Sequence, residues 1–216
     1  MTTSESPGTP RGPYAKGVQR RREILDRALG VFAEKGSEST SLRAIGEAIG
    51  VSHGVLTHYF ASREALLVEV LRERDEQARA EMGVAGSGGV LGSVIDAVEG
   101  NREIPGIVAL HTILMGSAVE TGHDAATEFF TERFARNRRD IVAQVRSVLA
   151  EQGLPEGVDL DAFASLLMAA SDGLQIQWLL DDSVDISASL RQLELIVAPR
   201  GSNPAPPTTG DPAVSG

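Results

Sequence analysis

Residues 40–60 read TSLRAIGEAIGVSHGVLTHYF, and the spacing within them decides the fold. Gly50 stands between two short helical patterns, Ser41–Ile49 and Ser52–Phe60. A helix-turn-helix needs a turn residue that accepts positive φ, and glycine does so without a Cβ clash. It needs a small residue where the second helix crosses the first, and Gly46 lies four before the turn. It also needs apolar residues that pack the helices together. Ile45, Ile49, Val51, Leu56 and Tyr59 fall at −5, −1, +1, +6 and +9 from Gly50. Ser52 is the expected N-cap of the second helix. His53, Gly54, Thr57 and His58 are then left exposed, small or polar groups that can enter a major groove ~12 Å wide.

A helical hairpin that binds nothing carries the same pattern, so the surroundings have to discriminate. The chain has 216 residues, 42% hydrophobic and 23% charged, with a formal net charge of −10. The acidic average hides an asymmetry. Residues 1–65 carry 9 Lys and Arg against 7 Asp and Glu; residues 66–216 carry 11 against 23. The motif therefore lies in the one part that is not acidic, just after Lys16, Arg20, Arg21 and Arg22, as a DNA-binding face requires. The absence of cysteine excludes disulfides, thiol nucleophiles and cysteine-based metal sites. Met1–Pro10 lacks the apolar core of a signal peptide. The longest apolar stretch, Ile107–Val119, is interrupted by His111 and Thr112 and is shorter than the ~18 residues of a membrane span. A cytoplasmic location is expected.

Outward from the motif the patterns are helical, with no strand alternation of useful length. A first helix is predicted over Val18–Lys35, its stripe built from Ile24, Ala28 and Phe32, and ended by Gly36. Ser62 should cap a long helix reaching about Met82. After the glycine-rich 83–92, helices are predicted near 91–100, 105–121, 123–152, 159–181 and 186–198. The fold class is all-α: a three-helix head carrying the helix-turn-helix, on a larger helical-bundle body. The expected division is a basic-tipped disordered arm over 1–16, a DNA-binding domain over 17–61, a ligand-binding and dimerisation domain over 62–200, and a disordered tail over 201–216.

RREILDRALGVFAEKG, residues 21–36, followed by TSLRAIGEAIGVSHGVLTHYFASREALL, residues 40–67, resembles the DNA-binding head of the TetR family of bacterial transcriptional regulators. DGLQIQWLLDDSVD, residues 172–185, is similar to the eighth helix and following loop of members with a BetI-like C-terminal domain. The resemblance implies a homodimeric repressor that binds a palindromic operator in double-stranded DNA and is released by a small effector. It is not an enzyme, and no cofactor is expected. The resemblance places His53, Gly54, Val55 and Thr57 at groove-facing positions, Arg43 where it can reach a base edge or a phosphate, and Arg63 at a phosphate contact opening the fourth helix. Thr40, Ser41, Ser52, His58 and Tyr59 complete the expected DNA-binding set. Many family members carry tyrosine where this chain has Thr57. Thr57 keeps the hydroxyl and loses the reach.

In the body, Met115, Phe134, Phe163, Met168 and Trp178 are expected to line a ligand cavity, with His111, Thr112 and Gln175 as its polar contacts. A mostly apolar effector would fit such a lining; a choline-type cation would call for an aromatic cage, and the chain is only 4% aromatic. Helix 159–181 is apolar on more than one side. With the last helix it suits a four-helix dimer interface, for which Leu167, Leu174, Leu190, Leu193 and Val197 are the candidates. The arginines of 133–146, interleaved with acids, read as a solvated ion-paired face. Gly50–Gly54 spells the G-x-S-x-G of a hydrolase nucleophile elbow, but that motif needs a strand before it. Glu120 and His123 have an i, i+3 metal-site spacing without the further ligands such a site needs, and no metal is expected. Two alternatives stay open: a constitutive DNA-binding regulator without effector, and a helical metal-dependent enzyme using Glu120 and His123.

Overall fold

Short-range signals set where each helix starts and stops. The computed structural model describes residues 13–37, 40–85, 89–148 and 157–197. Among the described residues there are nine α-helices and no strand. They are α1 (Pro13–Lys35), α2 (Leu42–Ile49), α3 (His53–Tyr59), α4 (Arg63–Ala85), α5 (Gly89–Arg102), α6 (Ile107–Ser117), α7 (Asp124–Val148), α8 (Leu160–Leu180) and α9 (Ile186–Val197). This is the all-α class expected from the sequence. Of the arm expected to be disordered over 1–16, residues 13–16 open α1 and the rest lies outside the described residues, as do the expected tail over 201–216 and the centre of the glycine-rich connector, 86–88.

The caps are those that the residue types dictate. Ser41 caps α2 by accepting the Ala44 N–H, and Ser52 caps α3 by accepting the Val55 N–H. Ser62 accepts the Ala65 N–H at the head of α4, at 3.0 Å. Gly50 takes the left-handed turn between α2 and α3, at φ 70°. Two boundaries differ from the periodicity. α1 starts at Pro13 rather than Val18, because proline suits the first helical position and no apolar stripe announces that turn. α6 is shorter than 105–121, because Gly106 takes φ 80° and stops the helix upstream while 118–122 turns back on itself.

Two apolar clusters hold the helices. The first runs from Ile24, Leu25 and Phe32 of α1 through Ile45 and Leu56 to Leu66 and Leu67 of α4, then on to Leu110 of α6 and Phe129 and Phe130 of α7. The second joins Ile95 and Val98 of α5, Ile141 and Val145 of α7, Leu160 and Leu167 of α8, and Ile186 and Leu190 of α9. Trp178 packs against both. Gly106 seats α6 directly on α1: a Cβ there would lie 2.8 Å from the Ala33 Cβ and 3.0 Å from its Cα.

This packing already uses two residues of the expected dimer set. Leu167 and Leu190 are 1% and 0% exposed, so they are core within one protomer. Leu174 and Leu193 are partly buried against the same cluster, and the side chain of Val197 lies outside the described residues. The large apolar groups α8 leaves in solvent are Leu166, at 61% exposed, Leu179, at 40%, and Leu180, at 86%. The helix is apolar on two sides, as read from the sequence, and one of those sides faces inward.

Candidate functional site

α3 has only seven residues and one buried side chain, Leu56. A helix this short is held by packing rather than by its own propensity. Leu56 sits over Gly46, where a Cβ would meet the Val51 carbonyl oxygen at 2.6 Å and the Leu56 Cδ1 at 3.2 Å. Arg27 of α1 donates to the Ile49 carbonyl at 3.1 Å and pins the end of α2. So fixed, α3 presents Ser52, His53, Gly54, Val55, Thr57 and His58 to solvent. The Thr57 hydroxyl donates back to the His53 and Gly54 carbonyls, at 3.1 and 3.2 Å, which leaves its oxygen able to accept. Tyr59 packs against the first cluster, edge-on to His58 at 5.3 Å. Arg43 and Ser41 are exposed on α2 and its cap, with Arg43 paired to Glu47 at 2.9 Å. The exposed set forms one surface of small and polar groups beside a cation, the form that base-edge reading takes. Gly50–Gly54 follows a helix here, and Ser52 is a cap, so the strand-to-helix setting of a nucleophile elbow is missing.

Two of the expected contacts have other work. Thr40 is fully buried, and its hydroxyl donates to the Gly36 carbonyl. The Arg63 guanidinium donates to the Thr40 carbonyl and, at 2.7 Å, to the Ser37 carbonyl. It therefore ties the α1–α2 connection to the start of α4 and acts as a positioning residue. Burial lowers its pKa, with the Glu64 charge acting in the opposite sense. Next to it, Glu64 takes the His123 ring on one carboxylate oxygen and the Ala126 N–H on the other, the latter at 3.1 Å. The start of α4 is thus fastened to the start of α7. This contact occupies the His123 that the metal alternative needs. Glu120 stands 3.9 Å from the same ring, and among the described residues no group of three ligands gathers for a metal.

The body holds a cavity of about 190 Å³ between α4, α5, α7 and α8. Of the expected ligand contacts only Met168 and Gln175 line it. Met115 and Phe134 pack against the first cluster, Phe163 against the second, and Trp178 against both, under Arg102 at 5.1 Å. Thr112 turns its hydroxyl to the Val108 carbonyl, at 2.9 Å. His111 packs edge-on to Phe130, at 5.1 Å. Its Nε2 is buried with no hydrogen-bond partner among the described residues. Burial, then the Arg133 charge, pulls it down to about 3, so the ring is neutral.

The cavity wall is instead rich in polar groups that sequence reading missed. Asp75 of α4 accepts from Arg133 Nε at 3.0 Å and from Arg136 at 3.2 Å, and pairs with Arg79 at 3.6 Å. Arg133 and Arg136 are therefore inward-facing, a correction to the solvated face expected for them. Arg74, Ser93, Asn101, Asn137, Asp140, Gln144, Ser171 and Asp172 complete the polar wall, and no lining residue is aromatic.

Burial pushes the Asp172 carboxyl up from 3.8 to about 6, with the Arg133 charge working against the rise. A native pKa above the unfolded one means the folded state binds the extra proton. Its stabilising effect is full below about pH 4 and is lost as the pH rises through about 6. At ~1.4 kcal/mol per pKa unit the loss is about 3 kcal/mol. The Asp172→Asn variant should lack it. Urea midpoints measured at pH 4.5 and 8 should show wild type losing more stability than Asp172→Asn, and equal losses would refute the shift.

Comparison with known proteins agrees with this geometry. Residues 24–70 match the tetR family of bacterial regulatory proteins, and residues 117–198 match the BetI-type transcriptional repressor C-terminal region. The two matches together take in more than half of the chain. A helix-turn-helix transcriptional repressor of Mycobacterium tuberculosis is 39% identical over 77 residues, 36% of this chain and 40% of that protein. The repressor KstR2 of Rhodococcus jostii is 45% identical over 53 residues, 24% of this chain and 26% of its own. The chain thus matches less than half the length of these curated relatives. Solved structures match more fully. A TetR-family regulator from Rhodococcus sp. superposes with a TM-score of 0.68 at 24% identity, covering 83% of this chain and 98% of that one. A transcriptional regulator from Saccharomonospora viridis in complex with choline gives 0.64 at 20%, covering 85% and 97%. The fastened helix-turn-helix, the helical body behind it and the matches over both regions lead to one conclusion: the chain belongs to the TetR family of bacterial regulatory proteins, with a C-terminal region of the BetI type.

Proposed function

We propose that the protein is a transcriptional repressor that binds a palindromic operator as a homodimer and leaves it when a small molecule fills the body cavity. The carrying observation is the exposed face of α3, His53, Gly54, Val55, Thr57 and His58, on a helix held through Leu56. Two such helices must sit ~34 Å apart to enter successive major grooves. The surface that best supports pairing is the outer side of α8, where Leu166 and Leu180 stand in solvent. Release follows when an effector favours a body state with another separation of the heads. The division at residue 61 separates the reading helices from the responding ones, and the cytoplasm is where such a repressor meets its DNA. No helix among the described residues is long and apolar enough to cross a membrane. The polar lining favours a polar effector over the apolar one expected from the sequence.

The test is a mobility shift on the DNA upstream of the protein's own coding region, with sedimentation of the complex. His53→Ala and Thr57→Ala should each weaken operator binding about tenfold and random DNA binding little, since base contacts specify while phosphate contacts position. Equal losses on both DNAs would remove α3 as the reading helix, and a monomer on the operator would remove the dimer.

A further inference from the structure

Asp172 lies mid-helix in α8, and its carboxylate lines the cavity. Its acidic neighbour Asp75 is satisfied by Arg133, Arg136 and Arg79. The influences on the Asp172 carboxyl are burial, first, and the Arg133 charge, with no hydrogen bond among them. One turn on, Gln175 faces the same space. One of its amide N–H groups donates to the Ser171 carbonyl at 3.3 Å, and its amide oxygen can accept from a ligand. A largely desolvated carboxylate and an amide that can accept therefore line the same cavity, one turn apart on α8.

The rest of the wall narrows the ligand. Val94, Val98, Ile141 and Met168 give it an aliphatic side. A quaternary ammonium ion would bring no N–H donor and would find no aromatic face among the lining residues. At about 190 Å³ the space is smaller than the ~300 Å³ at the low end of drug-sized pockets. We propose that this cavity takes a small alkylamine or alkylguanidine, its cationic N–H groups donating to Asp172 and Gln175 and its chain lying on the aliphatic side. This rests on the effector-released repressor described above and names the chemical class of its effector.

The experiment uses the full chain with four probes: n-hexylamine, agmatine, choline and hexanoate. Melting temperature is read first and operator release second. Hexylamine or agmatine should raise the melting temperature saturably and lower operator affinity at least fivefold. In Asp172→Asn, which should melt no lower than wild type without ligand at pH 8, the amine affinity should fall at least tenfold. Gln175→Leu should weaken it less. No response to either amine, an undiminished response in Asp172→Asn, or an equal response to choline would each overturn the amine class. A response confined to hexanoate would also overturn it and move recognition to the arginines around Asp75. An amine-induced rise in melting temperature with no operator binding by the free protein would leave the cavity assignment standing and defeat the repressor reading.

Discussion

Leu56→Ala should abolish operator binding and lower stability by about 2–5 kcal/mol, the usual range for deleting a fully buried leucine. Leu56 is 0% exposed and is the buried side chain of α3. Seven residues cannot sustain a helix alone, so the loss falls on both the core and the shape of the reading surface. The residue it rests on, Gly46, has no side chain to move into the space, and the Val51 carbonyl crosses there. A denaturant titration gives the stability, and a mobility shift gives the affinity. The expected pair is a lowered midpoint with no specific complex, even under conditions where most molecules are folded. Operator affinity within twofold of wild type would show that α3 does not need this anchor.

Gly106→Val should rival it by a different route. Gly106 sits at φ 80°, where a β-branched residue is a genuine outlier, and its missing Cβ leaves room for Ala33 of α1 at 2.8 Å. The left-handed backbone costs about 1–2 kcal/mol and the overpacking about 1–3 more. Because the displaced contact joins the start of α6 to α1, operator affinity should fall along with the midpoint. Gly116 provides the control on the same helix. It has no positive φ, and a methyl group added there would meet nothing within 4 Å, so Gly116→Ala should gain up to about 1 kcal/mol from helix propensity. Matching losses at both positions would mean that glycine flexibility, not the seat on α1, is what matters.

The helix-turn-helix was legible because its determinants are local. Ser52, Gly50, Gly46 and Leu56 act over a few residues, and each type has one reason to be where it is. The cavity was not legible, because it is made by faces of four helices far apart in sequence. Arg133 and Asp75 are separated by 58 positions, and mixed charges along α7 look the same whether they meet solvent or a buried carboxylate. The apolar candidates Phe134, Phe163 and Trp178 were drawn into the core clusters, where large side chains gain most from burial. One signal was available: Asp172 is a lone acid within an otherwise apolar stretch of α8, and such a residue is costly to bury unless something meets it.

The unbroken apolar cluster from Leu56 to Phe130 bears on how such a protein could be rebuilt or diversified. A chimaera cut after residue 61 would part Ile24, Leu25 and Phe32 from Leu66, Leu67 and Leu110, and a transplanted head would arrive on a foreign surface. A graft that carries α4 along, and matches α6 at Ala33, keeps the cluster whole. The exposed groups of α3 lie outside that cluster. They can be exchanged one at a time, so a lineage could acquire a new target sequence by point substitution long before it could do so by shuffling parts.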